Sequence, residues 1–246
     1  MRRFLAALFA ALTICSLAGC AKVECPTEPD PPSQPEEPAV PSTPELSPEE
    51  QWEQEQLAVK KAREEKIQAL LNSMTLEEKV GQLFFVRCPA DNAVEDISTY
   101  HLGGYLLFGR DYKDGDVWLT RDQFTQKLQS YQDAASIPLF IGSDEEGGTV
   151  TRASRNPNLF SEPFKSPQAI YSAGGMKALA QDALDKSQSL LDLGINVNFA
   201  PVCDVSTDPN DFIYDRTLGQ DAETTADYIT RTVLTMGDAG EMAVLK

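Results

Sequence analysis

The stretch IPLFIGSDEEGGTVTR, residues 137–152, joins a short apolar run to three consecutive carboxylates and a glycine pair. Its apolar part is continuous rather than alternating, which indicates a strand covered on both faces. Similar runs recur along the chain, and helical stretches lie between several of them. The runs are 82–86, 104–108, 138–142, 195–205 and 242–245, and the helical stretches are 121–135, 175–193 and 222–239. Strands separated by single crossover helices are parallel, so the sequence predicts an α/β barrel or a doubly wound sheet.

The polar residues that follow these runs distinguish the two folds. They are Arg87, Arg110, Asp144 and Asp204, which stand at the carboxyl ends of different runs. Polar residues after successive strands are typical of a barrel mouth, whereas a doubly wound fold concentrates them at one switch point. We therefore predict a partial TIM-type (β/α)8 barrel that contains about the first five strands. Because a complete barrel needs about eight strands, we expect this sequence to be an N-terminal fragment.

The first twenty residues predict export. Two arginines precede an apolar stretch from Phe4 to Leu17, which closes on Leu-Ala-Gly-Cys at residues 17–20. This pattern is typical of a secretory signal peptide at residues 1–19, and it resembles a bacterial lipobox. The resemblance implies that Cys20 receives acyl chains and anchors the protein in the membrane. We expect the protein to lie on the outer face of the bacterial cytoplasmic membrane.

The next segments differ sharply in composition. Residues 20–48 are dominated by proline, acidic residues, serine and threonine, so we expect a disordered tether. Apolar residues at helical spacing then predict an amphipathic N-terminal helix at residues 49–74. Thr75 and Glu78 predict a capping box that starts a second helix. The barrel domain is expected to occupy residues 75–246.

The charge and the cysteines exclude several classes of function. The chain has 38 acidic and 21 basic residues and a formal net charge of −17, with no basic stripe, so we do not expect it to bind nucleic acid. The cysteine spacing has no metal-site repeat, and we interpret Cys88 and Cys203 as buried residues at strand ends. We expect no metal, no cofactor and a monomeric protein.

The three consecutive carboxylates, Asp144, Glu145 and Glu146, have two interpretations. One is an acid and base pair for glycoside cleavage, which needs two carboxyl groups roughly 5 to 9 Å apart across the sugar. Neighbours on one strand fit that requirement poorly, because their side chains point to opposite faces. The other interpretation is a solvated acidic turn, and the spacing alone leaves both open.

The segment DEEGGTVTR, residues 144–152, resembles the Asp-x-Glu-Gly-Gly-x-Val-x-Arg signature of the family 3 β-N-acetylhexosaminidases. Four flanking segments resemble the same family: its opening helix, its second strand, its fourth strand and the segment after that strand. They are residues 74–83, 101–108, 193–205 and 215–219. The resemblance covers nearly everything from Asn72 to Lys246. Thr149 and Leu218 depart from the family, which commonly has an arginine and an aromatic residue there.

The resemblance implies roles for four residues. Asp144 would bind hydroxyls of the non-reducing-end sugar, Arg152 and Arg216 would help to fix that sugar, and Lys246 would open a Lys-His-Phe-Pro-Gly-His-Gly segment that also contributes to sugar binding. The catalytic histidine and the nucleophilic aspartate of the family are expected beyond Lys246, so the fragment itself should be inactive. The sole histidine, His101, matches a position without a catalytic role.

The resemblance assigns lesser roles to the remaining acids. Glu145 and Glu146 are interpreted as residues that support the sugar-binding groups or the backbone turn. Asp204 either supports the sugar site or satisfies buried backbone groups, and both alternatives stay open.

The function implied is hydrolysis of terminal β-linked N-acetylhexosamine, in particular N-acetylglucosamine, from oligosaccharides or cell-wall fragments. The mechanism would be retaining and would proceed through a covalent glycosyl-enzyme. Two alternatives stay open: a family 3 β-glucosidase, and a non-catalytic sugar-binding lipoprotein, which has the same layout of signal peptide, tether and domain.

Overall fold

The computed structural model describes residues 46–246, with six helices and seven strands in that part of the chain. The helices are α1 (Pro48–Ser73), α2 (Leu76–Gly81), α3 (Ala93–Tyr100), α4 (Arg121–Ala134), α5 (Pro167–Leu191) and α6 (Ala222–Ala239). The strands are β1 (Phe85–Arg87), β2 (Gly104–Leu107), β3 (Lys113–Asp114), β4 (Val117–Trp118), β5 (Phe140–Ser143), β6 (Val197–Asn198) and β7 (Met242–Ala243). The predicted signal peptide, Cys20 and most of the predicted tether lie outside the described residues.

The main sheet has five strands in the order β1-β2-β5-β6-β7, and every neighbouring pair is parallel. One helix separates each pair along the chain: α3, α4, α5 and α6 in turn. The spatial order therefore follows the chain order without the reversal that defines a doubly wound sheet. This confirms the predicted fold, a partial (β/α) barrel with five consecutive strands.

Residues 55–246 form one compact unit, whereas residues 46–54, at the start of α1, belong to another. The hydrophobic core of the compact unit lies where the sheet meets its helices. Tyr105, Leu107 and Ile141 come from the strands, and Phe124 and Leu190 come from α4 and α5; all five are fully buried. The helix α1 covers nearly the same residues as the predicted N-terminal helix, and none of its residues is buried. None of the helices described is both long and apolar enough to cross a membrane.

The opposite face of the sheet carries two aromatic rings, Phe85 of β1 and Phe199 just after β6, whose centroids are 5.4 Å apart. Gly142 of β5 lies beneath them. A Cβ atom at that position would come within 2.6 Å of Phe85 and 2.9 Å of Phe199. The glycine is therefore needed because the rings pack directly on the β5 backbone.

The helix starts follow local sequence signals. At α2, the Thr75 side chain accepts from the Glu78 amide at 3.2 Å and the Glu78 carboxylate accepts from the Thr75 amide at 2.7 Å. This confirms the predicted capping box. Ser166 and Asp221 accept similar amide bonds at the starts of α5 and α6. Such bonds satisfy helix amides that have no partner inside the helix.

Three features differ from the sequence prediction. β6 contains only Val197–Asn198 of the predicted run 195–205, and a cis Ala200-Pro201 peptide follows. The β3–β4 hairpin was not predicted, because strands of two residues each are too short to show alternation. Cys88 is buried as predicted, but the prediction that Cys203 is buried was wrong, because it lies beyond the short β6 and is only partly covered.

Candidate functional site

The candidate site lies at the carboxyl edge of the main sheet. Asp144, Glu145 and Glu146 follow the last residue of β5, and Lys246 follows β7. In parallel α/β folds the carboxyl ends of the strands form one face, where ligands bind. Two strands that are not neighbours thus deliver side chains to one place.

The ammonium of Lys246 lies between two carboxylates. Its Nζ donates to Oδ1 of Asp144 at 2.6 Å and to Oε1 of Glu146 at 2.7 Å. Arg152 donates from Nη2 to the other oxygen of Asp144, Oδ2, at 3.1 Å. Arg216 forms a two-pronged pair with Glu146, at 2.9 Å from Nε and 2.8 Å from Nη2. Three cations therefore surround two carboxylates, which are only 6% and 3% exposed.

The structure brings together all four sequence-predicted binding residues, Asp144, Arg152, Arg216 and Lys246. Glu146 is a full member of the cluster, since it accepts from both Arg216 and Lys246. Sequence reasoning had placed it only in a supporting role. Its partners lie 70 and 100 residues away in the chain, so no local pattern indicates the pairing.

Glu145 points the other way, into the protein, and is fully buried. Its Oε1 accepts from the amide of Arg152 at 2.7 Å and from the amide of Ala153, and its Oε2 accepts from the Ser154 hydroxyl at 3.0 Å. Burial raises the pKa of this carboxyl, and the backbone donors act in the opposite direction. Glu145 therefore ties down the turn that carries Arg152 and is a structural residue.

A network of polar side chains holds the end of β5 against its neighbours. Asn198 of β6 accepts from the Glu145 amide at 3.0 Å and donates to the Glu145 carbonyl at 3.3 Å. On the other side, the Tyr112 hydroxyl donates to Oγ of Ser143 at 2.8 Å. Because these groups are buried and paired, they fix the backbone from which Asp144 and Glu146 project.

The glycine pair of the signature has a steric reason. Gly147 and Gly148 both have positive φ, at 94° and 65°. A Cβ atom on Gly147 would lie 2.1 Å from the carbonyl oxygen of Lys165, in the segment that enters α5. Only glycine fits there, and the turn that follows returns the chain so that Arg152 reaches Asp144.

Phe108 lies beside the cluster, at the end of β2. The Arg87 guanidinium stands 4.7 Å from its ring centroid and that of Arg152 stands 5.8 Å away. These distances are within the range of cation–π attraction. Sequence reasoning had noted Arg87 at a strand end but had assigned no role to Phe108.

Two other candidates, His101 and Asp204, form no side-chain hydrogen bond with the cluster in the described part of the chain. His101 ends α3 with φ 53° and precedes β2, at the opposite edge of the sheet from Asp144. Asp204 is exposed and accepts no hydrogen bond from any residue in 46–246, so the alternative in which it satisfies buried backbone groups is wrong. Within the same described range, no group of three or more histidine, cysteine, aspartate or glutamate residues is arranged to hold a metal ion.

Comparison with known proteins identifies a family. The model of the glycosyl hydrolase family 3 N-terminal domain matches residues 75–246. The chain belongs to glycosyl hydrolase family 3. The family resemblance inferred from residues 144–152 is thereby confirmed, and the matched range includes every member of the charged cluster.

Among its family 3 relatives, the chain is 29% identical over 171 residues to beta-hexosaminidase LpqI of Mycobacterium tuberculosis, covering 69% of this chain and 42% of that protein. It is 36% identical over 118 residues to beta-hexosaminidase A of Pseudoalteromonas piscicida, covering 47% and 19%. The crystal structure of a beta-N-acetylhexosaminidase from Beutenbergia cavernae is similar with a TM-score of 0.57 at 30% identity, covering 71% of this chain and 54% of that one. The chain thus spans less than half the length of these two sequence relatives.

Proposed function

We propose that this family 3 chain is the sugar-holding part of a glycosidase that removes terminal β-linked N-acetylhexosamine from oligosaccharides or cell-wall fragments. Support comes from relatives named beta-hexosaminidase and from a similar structure named beta-N-acetylhexosaminidase. These names favour the proposal over the β-glucosidase alternative. The signature at residues 144–152, together with the Arg216 and Lys246 side chains that contact it, favours a glycosidase over a non-catalytic receptor.

The observation that carries the proposal is the number of hydrogen bonds that each carboxylate accepts. Asp144 accepts one on each oxygen, whereas Glu146 accepts three in total. A carboxylate offers about four acceptor positions, so about two remain open on Asp144 and about one on Glu146. Asp144 can therefore accept two adjacent sugar hydroxyls, and Glu146 serves mainly to position Arg216 and Lys246.

The cations would supply the matching donors. Arg152 and Lys246 each contact Asp144 while they are partly exposed, so their remaining N–H groups can reach the oxygens of a sugar bound there. A guanidinium fork donates in a fixed plane and an ammonium in several directions. Together they would orient a neutral sugar that has no charge of its own to direct it.

The same geometry argues against Asp144 and Glu146 as the catalytic pair. A retaining glycosidase places its two carboxyl groups on opposite sides of the scissile bond. Here one ammonium bridges both carboxylates, so they stand side by side. We therefore propose that the acid/base histidine and the nucleophilic aspartate follow Lys246, as the family resemblance implies, and that this chain binds and orients the terminal sugar.

We also propose where in the cell the protein lies. The pattern at residues 1–20 supports export and lipid anchoring through Cys20 on the outer face of the cytoplasmic membrane. There the enzyme would meet cell-wall fragments.

The test is turnover of a chromogenic β-N-acetylglucosaminide by the protein that includes the catalytic histidine and aspartate. Asp144→Ala should lower kcat/KM by roughly 30- to 900-fold, which corresponds to about 2–4 kcal/mol of lost charge-assisted hydrogen bonds. Asp122→Ala, an exposed acid on α4, is the matched control. The chain alone should show no turnover. Wild-type kcat/KM in a folded Asp144→Ala enzyme would refute the site, and absence of turnover by the wild-type enzyme would refute the function.

A further inference from the structure

The chain that enters α5 contacts the loop that carries Glu146. The Gly148 amide donates to the Phe164 carbonyl at 2.8 Å. The Lys165 carbonyl oxygen occupies the place where a side chain on Gly147 would begin. The backbone just after Glu146 is therefore packed directly against the residues that lead into α5.

The first turn of α5 also contacts the other half of the cluster, through the Gln168 side chain. Its Nε2 donates at 2.6 Å to the carbonyl of Tyr214, which begins the 3-10 turn Tyr214–Arg216. Thr217 donates to the same carbonyl from its amide at 3.0 Å and from its hydroxyl at 2.9 Å. Gly219 lies close by, since a Cβ atom there would come within 3.0 Å of Cδ of Gln168. Gln168 therefore ties this turn to α5.

The part of α5 that makes these contacts is not continuous with the rest of the helix. Gly174 (φ −164°, ψ 19°) and Gly175 (φ 62°, ψ −154°) have non-helical backbone angles. Residues 167–173 are therefore a separate helical piece, whose position depends on its own contacts. Its apolar side chains pack against a cluster that includes the buried Leu218, but apolar contact is not directional. The Gln168 hydrogen bond supplies the direction that this packing lacks.

We propose that Gln168 is a positioning residue for Arg216, because it fixes the turn that bears Arg216 relative to the loop that bears Glu146. Arg216 pairs with Glu146 through two hydrogen bonds, of 2.9 and 2.8 Å. A two-pronged pair tolerates little displacement, since both N–H groups must stay aligned with the carboxylate oxygens. Loss of the Gln168 bond would let the turn move and open the pair. Only the consequence for sugar turnover rests on the proposed function.

The first test follows the Arg216 Nε–H group by ¹⁵N NMR, which requires no turnover. Arg216→Lys assigns the signal by removing it. Gln168→Met keeps the length of the side chain and removes the donor, so exchange of the Arg216 Nε–H with water should accelerate by roughly fivefold or more. Gln168→Lys retains a donor and should exchange at nearly the wild-type rate. Gln126→Met, at an exposed position of α4, is the matched control, and thermal unfolding shows whether each variant is folded.

The second test is a double-mutant cycle on kcat/KM of the catalytically complete enzyme. Gln168→Met should lower kcat/KM by less than Arg216→Lys does, and the double variant should be no slower than Arg216→Lys alone. Losses that multiply in the double variant would overturn the proposal. Wild-type exchange in a folded Gln168→Met protein, or equally fast exchange in Gln168→Met and Gln168→Lys, would also overturn it. If the wild-type enzyme shows no turnover, the proposed function fails, whereas the exchange rates still decide the role of Gln168.

Discussion

Glu241 provides a pH-dependent test of the packing behind the site. It follows Gly240, the residue that ends α6, and is 2% exposed at the start of β7. One carboxyl oxygen accepts from the Ser187 hydroxyl at 2.6 Å, and the other has no hydrogen-bonding partner within residues 46–246. Burial raises the pKa of Glu241 from 4.5 to about 7, against the lowering effects of the Ser187 hydrogen bond and of Lys186.

Whether the protein gains or loses stability with pH depends on which state, folded or unfolded, holds the Glu241 proton. Between pH 4.5 and about 7 the folded protein keeps the Glu241 proton and the unfolded chain does not. The free energy of unfolding therefore falls as the pH rises through this window, and the deprotonated carboxylate remains buried above it. The difference between the two pKa values corresponds to roughly 3 kcal/mol. For a domain of this size that is roughly 6–12 °C in Tm.

Thermal unfolding at pH 5 and pH 8 measures this effect, with Glu241→Gln as the test variant. Glutamine stays neutral, so the variant should gain stability relative to the wild type as the pH rises, by up to about 3 kcal/mol. Glu223→Gln, an exposed acid in the first turn of α6, is the control and should follow the wild-type profile. If the wild type and Glu241→Gln show the same pH dependence, the assignment of this titration to Glu241 is wrong.

Three other changes test separate parts of the molecule. Glu145→Gln should lower the free energy of unfolding by about 1–3 kcal/mol, because glutamine replaces one carboxyl oxygen by an N–H donor where buried groups donate to Glu145; urea unfolding measures this, and a loss no larger than in the exposed-site variant Glu162→Gln would contradict it. Arg216→Lys should lower kcat/KM of the catalytically complete enzyme by about tenfold, because lysine cannot replace the two-pronged pair with Glu146; unchanged kinetics would contradict that. Cys20→Ser should abolish acyl labelling and membrane fractionation, and unchanged labelling would refute the lipid anchor.

The sequence predicted the strands of the main sheet, because continuous apolar runs are a strong signal for covered parallel strands. It overestimated β6, which ends at Asn198 although the apolar run continues past that residue. There the apolar residues are buried by other contacts: Ala200 and Val202 are both buried outside any strand. A run of apolar residues reports burial, and burial alone does not imply ladder hydrogen bonds.

The site was predictable in part. The signature 144–152 correctly indicated Asp144 and Arg152, which a short turn brings together, and the structure explains its glycines by the contact with Lys165. The signature alone could not show that Glu145 faces the protein interior and that Glu146 faces the cations. The observed directions agree with the alternation of adjacent side chains, since Glu145 faces away from Asp144 and Glu146.

The position of Lys246 shows why the rest required the fold. Its amide donates to the Pro201 carbonyl at 3.2 Å, and its carbonyl accepts from the Cys203 amide at 2.6 Å. Both partners belong to the segment after β6, so the backbone of Lys246 is held by the neighbouring unit of the barrel while its side chain crosses to the end of β5. Because β6 lies between β5 and β7 in the sheet, the Lys246 side chain passes the end of one strand to reach Asp144. The charged cluster therefore depends on the strand order, which leaves only β6 between the ends of β5 and β7.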